Sequence, residues 1–190
     1  MSYQPTAIIR QQNNGLRLAA AVVAIALAPV LSVSGSPFPV SSLQAQETGL
    51  PIGAKAPTST MVTTLDGKPF DMGQYIGKTP VLIEFWATWC PNCKELEPAM
   101  VQTAKKYAGK IKFIGVAVSV NQSPERVKRY AEKHGLPLEV YFDTKGYAAD
   151  AYDAAATSYV VVVNKAGTVV YTGLGGTQNL DAAVKKAIGG

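Results

Sequence analysis

The sequence predicts an α/β fold, a mixed central sheet flanked by helices. Three observations lead there. Apolar runs rich in Val, Ile, Phe and Tyr alternate with segments of helical periodicity. Two turn signals, Asp66-Gly67 and Asn164 to Gly167, each join two strand-like runs into a hairpin. The second hairpin stands just before a last helical segment, so the sheet is mixed rather than wholly parallel.

Each element has its own reason. Residues 1–45 contain Arg10 and Arg17 but no acidic residue, and carry the run "LRLAAAVVAIALAPVLSVSG". Basic, then apolar, then Ser/Pro/Gly-rich is the order of a secretory signal, with cleavage after Ala45. The alternative is an uncleaved membrane anchor through residues 16–33, which at 18 residues is at the lower limit for a span. Either way the remaining domain, residues 46–190, is expected outside the cytoplasm. Gln46 to Pro57, rich in Gly and Pro, reads as a flexible lead-in.

"TMVTTLDGKPFDM" is a strand, a turn and a short return strand. "TPVLIEFWA" is a nearly continuous apolar run, as in a central strand covered on both faces. Pro91 to Tyr107 follows as a helix with Leu96, Met100, Ala104 and Tyr107 on its apolar stripe and a bend expected at Pro98. "IKFIGVAVSV" is a second buried strand. The helix in "SPERVKRYAEKHG" has Ser123 as cap, Pro124 first and Gly135 as stop. "LEVYFD" is a third strand and "TKGYAADAYD" a short helical connection. "SYVVVVNKAGTVVYTGL" is the second hairpin, and "NLDAAVKKAIGG" the last helix, capped by Asn179 and closed by Gly189.

Charge excludes one class of function. The net charge of +5 falls to +3 once Arg10 and Arg17 are set aside, and the remaining basic residues form no stripe, so no nucleic-acid partner is expected. No nucleotide-binding motif is visible, and no cofactor is expected.

The chemistry concentrates in "FWATWCPNC", which holds both tryptophans and both cysteines. Cys90 falls at or beside the helix N-cap, where orphan N–H groups and the helix dipole favour thiolate over thiol. Pro91 suits the first helical position. Cys93 lies one turn further in and is expected to be the more buried of the two. An exposed, low-pKa sulfur attacks a substrate disulfide and its neighbour resolves the mixed disulfide. Three plainer readings compete. A structural disulfide closing so short a loop stabilises little. A zinc half-site needs ligands that a single histidine, His134, does not supply. Two unreactive core cysteines would not need this seam.

The segment "PVLIEFWATWCPNCKELEPAM" resembles the active-site region of thioredoxin-like proteins. "IGAKAP" and "TTLDGKPFDMGQYIGK" are similar to the N-terminal hairpin of the exported TlpA-like branch, which includes the ResA and CcmG types used in cytochrome c maturation. The stretch from "SPERVKRYAEKHGLPLEVYFD" to "GYAADAY" is similar to that branch's central helix-strand insertion. The resemblance spans about Ile52 to Ile188 and implies a thioredoxin fold and a monomer. It implies Cys90 as nucleophile and Cys93 as resolving thiol, with Trp89, Pro91 and Asn92 framing the substrate face. It also implies client proteins with cysteines or disulfides, a net reductive direction and a membrane electron donor. In thioredoxins the position of Glu84 holds a buried acid that relays a proton for the resolving cysteine. Desolvation would raise the Glu84 pKa and suit that role, whereas the plainer reading has Glu84 reaching solvent or pairing with Lys112.

The chain departs from the TlpA-like pattern twice. That branch often places a glutamate three residues after the second cysteine; here it is Leu96, between Glu95 and Glu97, both expected to face solvent. The thioredoxin cis-proline position falls on Ala156 in "AAATSYVVVV". The Ala155–Ala156 bond is expected to be trans, because a cis bond there costs about 3–4 kcal/mol. Ala155 and Ala156 remain candidate substrate-facing residues, and the loss of the proline leaves open a metal- or partner-binding carrier that uses the same cysteines. A thiol peroxidase of related fold would set a threonine three residues before the reactive cysteine, where Ala87 stands. His134 is expected only to complement the end of its helix or to be solvated.

Overall fold

The computed structural model describes residues 49–189. The expected leader, residues 1–45, and the start of the lead-in lie outside the described residues. One seven-stranded sheet runs in the order β2-β1-β5-β4-β3-β6-β7. Its strands are β1 (Met61–Thr64), β2 (Pro69–Asp71), β3 (Val81–Trp86), β4 (Lys112–Val118), β5 (Glu139–Asp143), β6 (Tyr159–Val163) and β7 (Val169–Leu174). β3, β4 and β5 are parallel neighbours, while β1, β2, β6 and β7 pair antiparallel, so the sheet is mixed as expected. The helices are α1 (Pro91–Lys106), α2 (Pro124–His134), α3 (Tyr147–Ala151) and α4 (Leu180–Ile188). Among the described residues no helix is long and apolar enough to cross a membrane.

The caps read from the sequence operate as hydrogen bonds. Ser123 Oγ accepts from the Arg126 N–H, and Asn179 Oδ1 from the Ala182 N–H. Gly135 closes α2 in the left-handed region at φ 59°, where a side chain would be strained. α1 continues through Pro98. Beyond the expected elements, a single 3-10 turn, Met72–Tyr75, follows β2, started by Asp71, whose Oδ1 accepts from the Gly73 N–H. All peptide bonds among the described residues are trans, Ala155–Ala156 included.

The lead-in departs from expectation over its described part. Gly53 N–H donates to Val169 O, Val169 N–H to Ala54 O and Ala56 N–H to Gly167 O, and Ala56 is buried. β7 is an edge strand, and its unpaired backbone groups capture this segment despite its Gly and Pro content.

β3 divides the interior. Val81, Ile83 and Phe85 pack on one face with Met72, Ile114, Val116, Tyr152, Val161 and Val163. Leu82 packs on the other with Leu96, Met100 and Ala104 of α1 and Leu180 and Val184 of α4. Trp86, on that same face, joins Ala117, Val127 of α2, Phe142 and both cysteines. Lys106 and Tyr107 reach Asp181 of α4 at 2.5 and 2.9 Å and tie α1 to α4. The cysteine helix is therefore held over the same sheet face that carries Leu82, Glu84 and Trp86.

Candidate active site

Cys90 is the N-cap of α1 and Pro91 its first residue. The Cys90 N–H closes a tight turn onto Ala87 O at 3.1 Å. Its Sγ accepts the N–H of Cys93 at 3.1 Å, one of the orphan donors of the first turn. The two cysteines form a disulfide with Cα atoms 5.3 Å apart. Once that bond is opened, the same N–H and the helix dipole favour a thiolate on Cys90.

The expected difference in burial does not hold in this disulfide form. Cys90 is 2 % exposed and Cys93 7 %. With the bond closed, each sulfur shields the other, and both residues belong to the cluster around Trp86 and Phe142. The exposed part of the site is its rim. Trp89 is 37 % exposed, and Pro91 and Asn92 also face solvent. The Trp89 indole N–H donates to Val120 O at 2.8 Å, which fixes the ring beside the loop after β4. Gln122 clamps the same loop: its Oε1 accepts from Thr88 N–H at 2.9 Å, while its side-chain amide donates to Val118 O. Sequence reasoning missed Gln122, because only the fold brings it to Thr88.

Ala155 and Ala156 are exposed, in the loop that enters β6. Ser158 N–H donates to Phe85 O at 2.8 Å, so this loop and the cysteine turn leave the sheet at the same end. Ser158 takes a left-handed φ of 65°, and its Oγ donates to Gly175 O at 2.9 Å. These bonds hold the end of the loop where the thioredoxin-like pattern has proline. Among the described residues, no hydrogen bond joins Ala155 or Ala156 to either cysteine.

Glu84 is 6 % exposed in the middle of β3. Lys112 is not its partner: it lies on the opposite sheet face and pairs with Glu139 at 2.5 Å. Among the described residues Glu84 has no ion pair or hydrogen bond. Burial pushes its pKa from 4.5 up to about 8, with repulsion from Glu97 adding to it. Glu84 and Cys93 line one small pocket of about 10 Å³, together with Trp86, Glu97, Tyr130 and Leu138. Gly115 is aligned with Glu84 in the parallel register, and the missing side chain leaves room for the Trp86 indole.

Two expectations about polar residues need correction. Glu97 does not simply face solvent: it is 20 % exposed and turns toward the cavity, accepting from the Tyr130 hydroxyl at 3.1 Å. Glu95 is exposed as expected. His134 is more than a solvated helix end, since its Nδ1 lies 2.9 Å from Glu97 Oε1 and its ring stacks on Tyr130 at 3.9 Å. The signal for Glu97 was present in the sequence, because Cys93 and Glu97 are four apart and share one helix face. Among the described residues no group of three or more His, Cys, Asp or Glu side chains is arranged to hold a metal.

Comparison with known proteins agrees with this geometry. The redoxin family profile matches residues 51–188. The thioredoxin-like protein YneN of Bacillus subtilis is 31% identical over 125 residues, 65% of this chain and 72% of that protein. The thiol-disulfide oxidoreductase ResA of Bacillus subtilis is 32% identical over 118 residues, 62% of this chain and 64% of that protein. A crystal structure of a thioredoxin-family thiol:disulfide interchange protein from Chlorobium tepidum superimposes with a TM-score of 0.59 at 28% identity, over 73% of this chain and 99% of that one. With a cysteine pair capping α1, a mixed sheet beneath it and these relatives, the chain belongs to the redoxin family and has the thioredoxin fold.

Proposed function

We propose that this protein is a thiol-disulfide oxidoreductase that works outside the cytoplasm and reduces disulfides in client proteins. The observation that carries the reading is Cys90 at the mouth of α1, its Sγ accepting the Cys93 N–H, with the buried Glu84 in the same cavity as Cys93. The Cys90 thiolate attacks a client disulfide, forms a mixed disulfide and expels one client thiolate. Glu84, as carboxylate, takes the proton of the Cys93 thiol. The Cys93 thiolate then attacks Cys90 Sγ, closes the internal disulfide and releases the second client thiolate. Two electrons pass to the client, whose thiolates take up protons from water. A pKa near working pH lets Glu84 both accept and return a proton. Trp89, Pro91 and Asn92 face the client, and the Ala155–Ala156 backbone borders its path.

The basic-then-apolar leader supports export, whether residues 1–45 are removed or residues 16–33 stay as an anchor. A membrane dithiol donor then returns the pair to its reduced state, and c-type cytochrome maturation is the setting that the TlpA-like resemblance implies. The protein acts as a monomer without a cofactor. A Cys93→Ser variant should accumulate mixed disulfides through Cys90 with a reducible client such as insulin, seen as a mass increase reversed by dithiothreitol. If the reduced variant neither forms such adducts nor alkylates at Cys90, the reading is wrong.

A further inference from the structure

Glu97 and Tyr130 line two spaces at once. The inner one is the cavity shared with Glu84 and Cys93. The outer one is an open surface cleft, lined also by Lys94, Gln102 and His134. Glu97 therefore stands between the buried acid and the surface cleft. On its outer side it is held twice, by the Tyr130 hydroxyl on Oε2 and by His134 Nδ1 at Oε1. His134 is exposed to solvent and stacks on Tyr130. Burial and Glu97 push the Tyr130 pKa up to about 12, so Tyr130 stays a phenol that donates. On the inner side, the Trp86 indole N–H is buried without a partner at the cavity. The cavity has about the room one water needs, and a water there would satisfy that N–H while bridging the carboxyl groups.

We propose that Glu97 and His134 are the outer leg of a proton path joining Glu84 to solvent, with Tyr130 fixing Glu97 in place. The inference rests on the disulfide-exchange reading above. Glu84 is mostly protonated at neutral pH, so it must send its proton outward before it can take one from Cys93. The Glu97 carboxylate takes the proton from Glu84 across the pocket and, now an acid, donates it to His134 Nδ1 while the ring is in its Nε2–H tautomer. His134 Nε2 then releases a proton to water, and the ring recovers its first tautomer by exchange with solvent. No electrons move in this leg: Glu84 ends as the carboxylate, Glu97 and His134 regain their starting charges, and one proton enters water. The groups facing Glu97 are Cys93 and Lys94 of its own helix, Glu84 of β3, and Tyr130 and His134 of α2.

The test uses the reduced full chain mixed with a chromophoric aryl disulfide. One aryl thiolate is released when Cys90 attacks and a second when Cys93 resolves. Glu97→Gln keeps the shape and an acceptor for Tyr130 but cannot carry a proton. It should slow the second phase about 10-fold, the lower end of acid–base effects, shift that phase's pH profile and enlarge its solvent deuterium effect. His134→Gln, at the surface and safer for folding, should act in the same direction, and Glu97→Asp should restore part of the rate. Adding Glu97→Gln to Glu84→Gln should cost nothing further. Second-phase rates and pH profiles that superimpose on wild type in both Gln variants overturn the proposal, as does equal slowing of both phases with a lower unfolding midpoint. A wild-type protein showing neither phase would instead overturn the disulfide-exchange reading itself.

Discussion

On one face of β3, Val81, Ile83 and Phe85 sit in a cluster with Ile114, Val116, Tyr152, Val161 and Val163, with the Phe85 and Tyr152 ring centroids 5.7 Å apart. On the other face the same strand alternates Leu82, Glu84 and Trp86 beneath α1. There the packing is deliberately incomplete: an unpaired carboxyl, an indole N–H without a partner and a cavity beside the resolving cysteine. The first face supplies cohesion. The second holds groups in states that water would not allow, and the close packing of the first is what lets the fold tolerate them. Residues one apart in sequence should therefore answer mutation in opposite ways.

The largest contrast lies in stability against pH, measured by denaturant titration of the disulfide form at pH 5, 7 and 9. A Glu84 pKa raised from 4.5 to about 8 means that the unfolded chain loses this proton first as pH rises. Between those values the native state binds more protons, so Glu84 makes stability fall with rising pH and level off above about 8. Its full effect is on the order of 5 kcal/mol at ~1.4 kcal/mol per pKa unit. Glu84→Gln should lack this fall and be the more stable protein at pH 9, while losing about 100-fold in the Cys93-dependent step. Parallel pH curves for the two proteins would show that Glu84 is not held neutral, and the contrast between the faces would collapse.

Ile83→Ala probes the neighbouring residue on the closed face. Ile83 is fully buried, and its truncation removes apolar contact and leaves a cavity. The expected loss is about 3 kcal/mol, within the 2–5 range of such changes, and it should be the same at pH 5 and pH 9. A loss that changes strongly with pH would mean that the two faces are coupled through the strand.

What could be read from sequence divides along another line, between local pattern and contacts of distant segments. Local pattern was legible on both faces: the buried apolar strands, the Ser123 and Asn179 caps, two hairpin turns and the apolar stripe of α1 all stand where the sequence puts them. The cysteine pair was legible for the same reason, since a helix N-cap is a local signal. Glu84 stood out because a charge interrupts a buried run. The rest of the open face was hidden, because it depends on contacts between distant segments. Glu97 meets His134 across 37 residues, and Thr88 meets Gln122 across 34. Glu97 was expected to face solvent although its four-residue spacing from Cys93 puts both on one helix face, and only α2 packed against α1 shows what holds it there. The lead-in failed similarly: its Gly and Pro content describes the free chain, whereas pairing with the β7 edge decides its state.

The smallest expected effect tests whether the open face needs its gap. Gly115 is level with Glu84 on the adjacent parallel strand, and a Cβ there would lie 2.8 Å from Trp86 Nε1 and 3.1 Å from Leu138 Cδ1. The Leu138 methyl can yield by a few tenths of an ångström, but the indole has to shift, and overpacking of this kind costs about 1–3 kcal/mol. Replacing a glycine inside a strand by alanine returns roughly 0.5–1 kcal/mol of backbone entropy. The balance for Gly115→Ala is a net loss of about 1 kcal/mol in denaturant titration, with a modest slowing of the Cys93 step as Trp86 presses into the cavity. A variant more stable than wild type, with that step unchanged, would mean that the indole moves freely. The space beside Glu84 would then be slack in the packing rather than room the site requires.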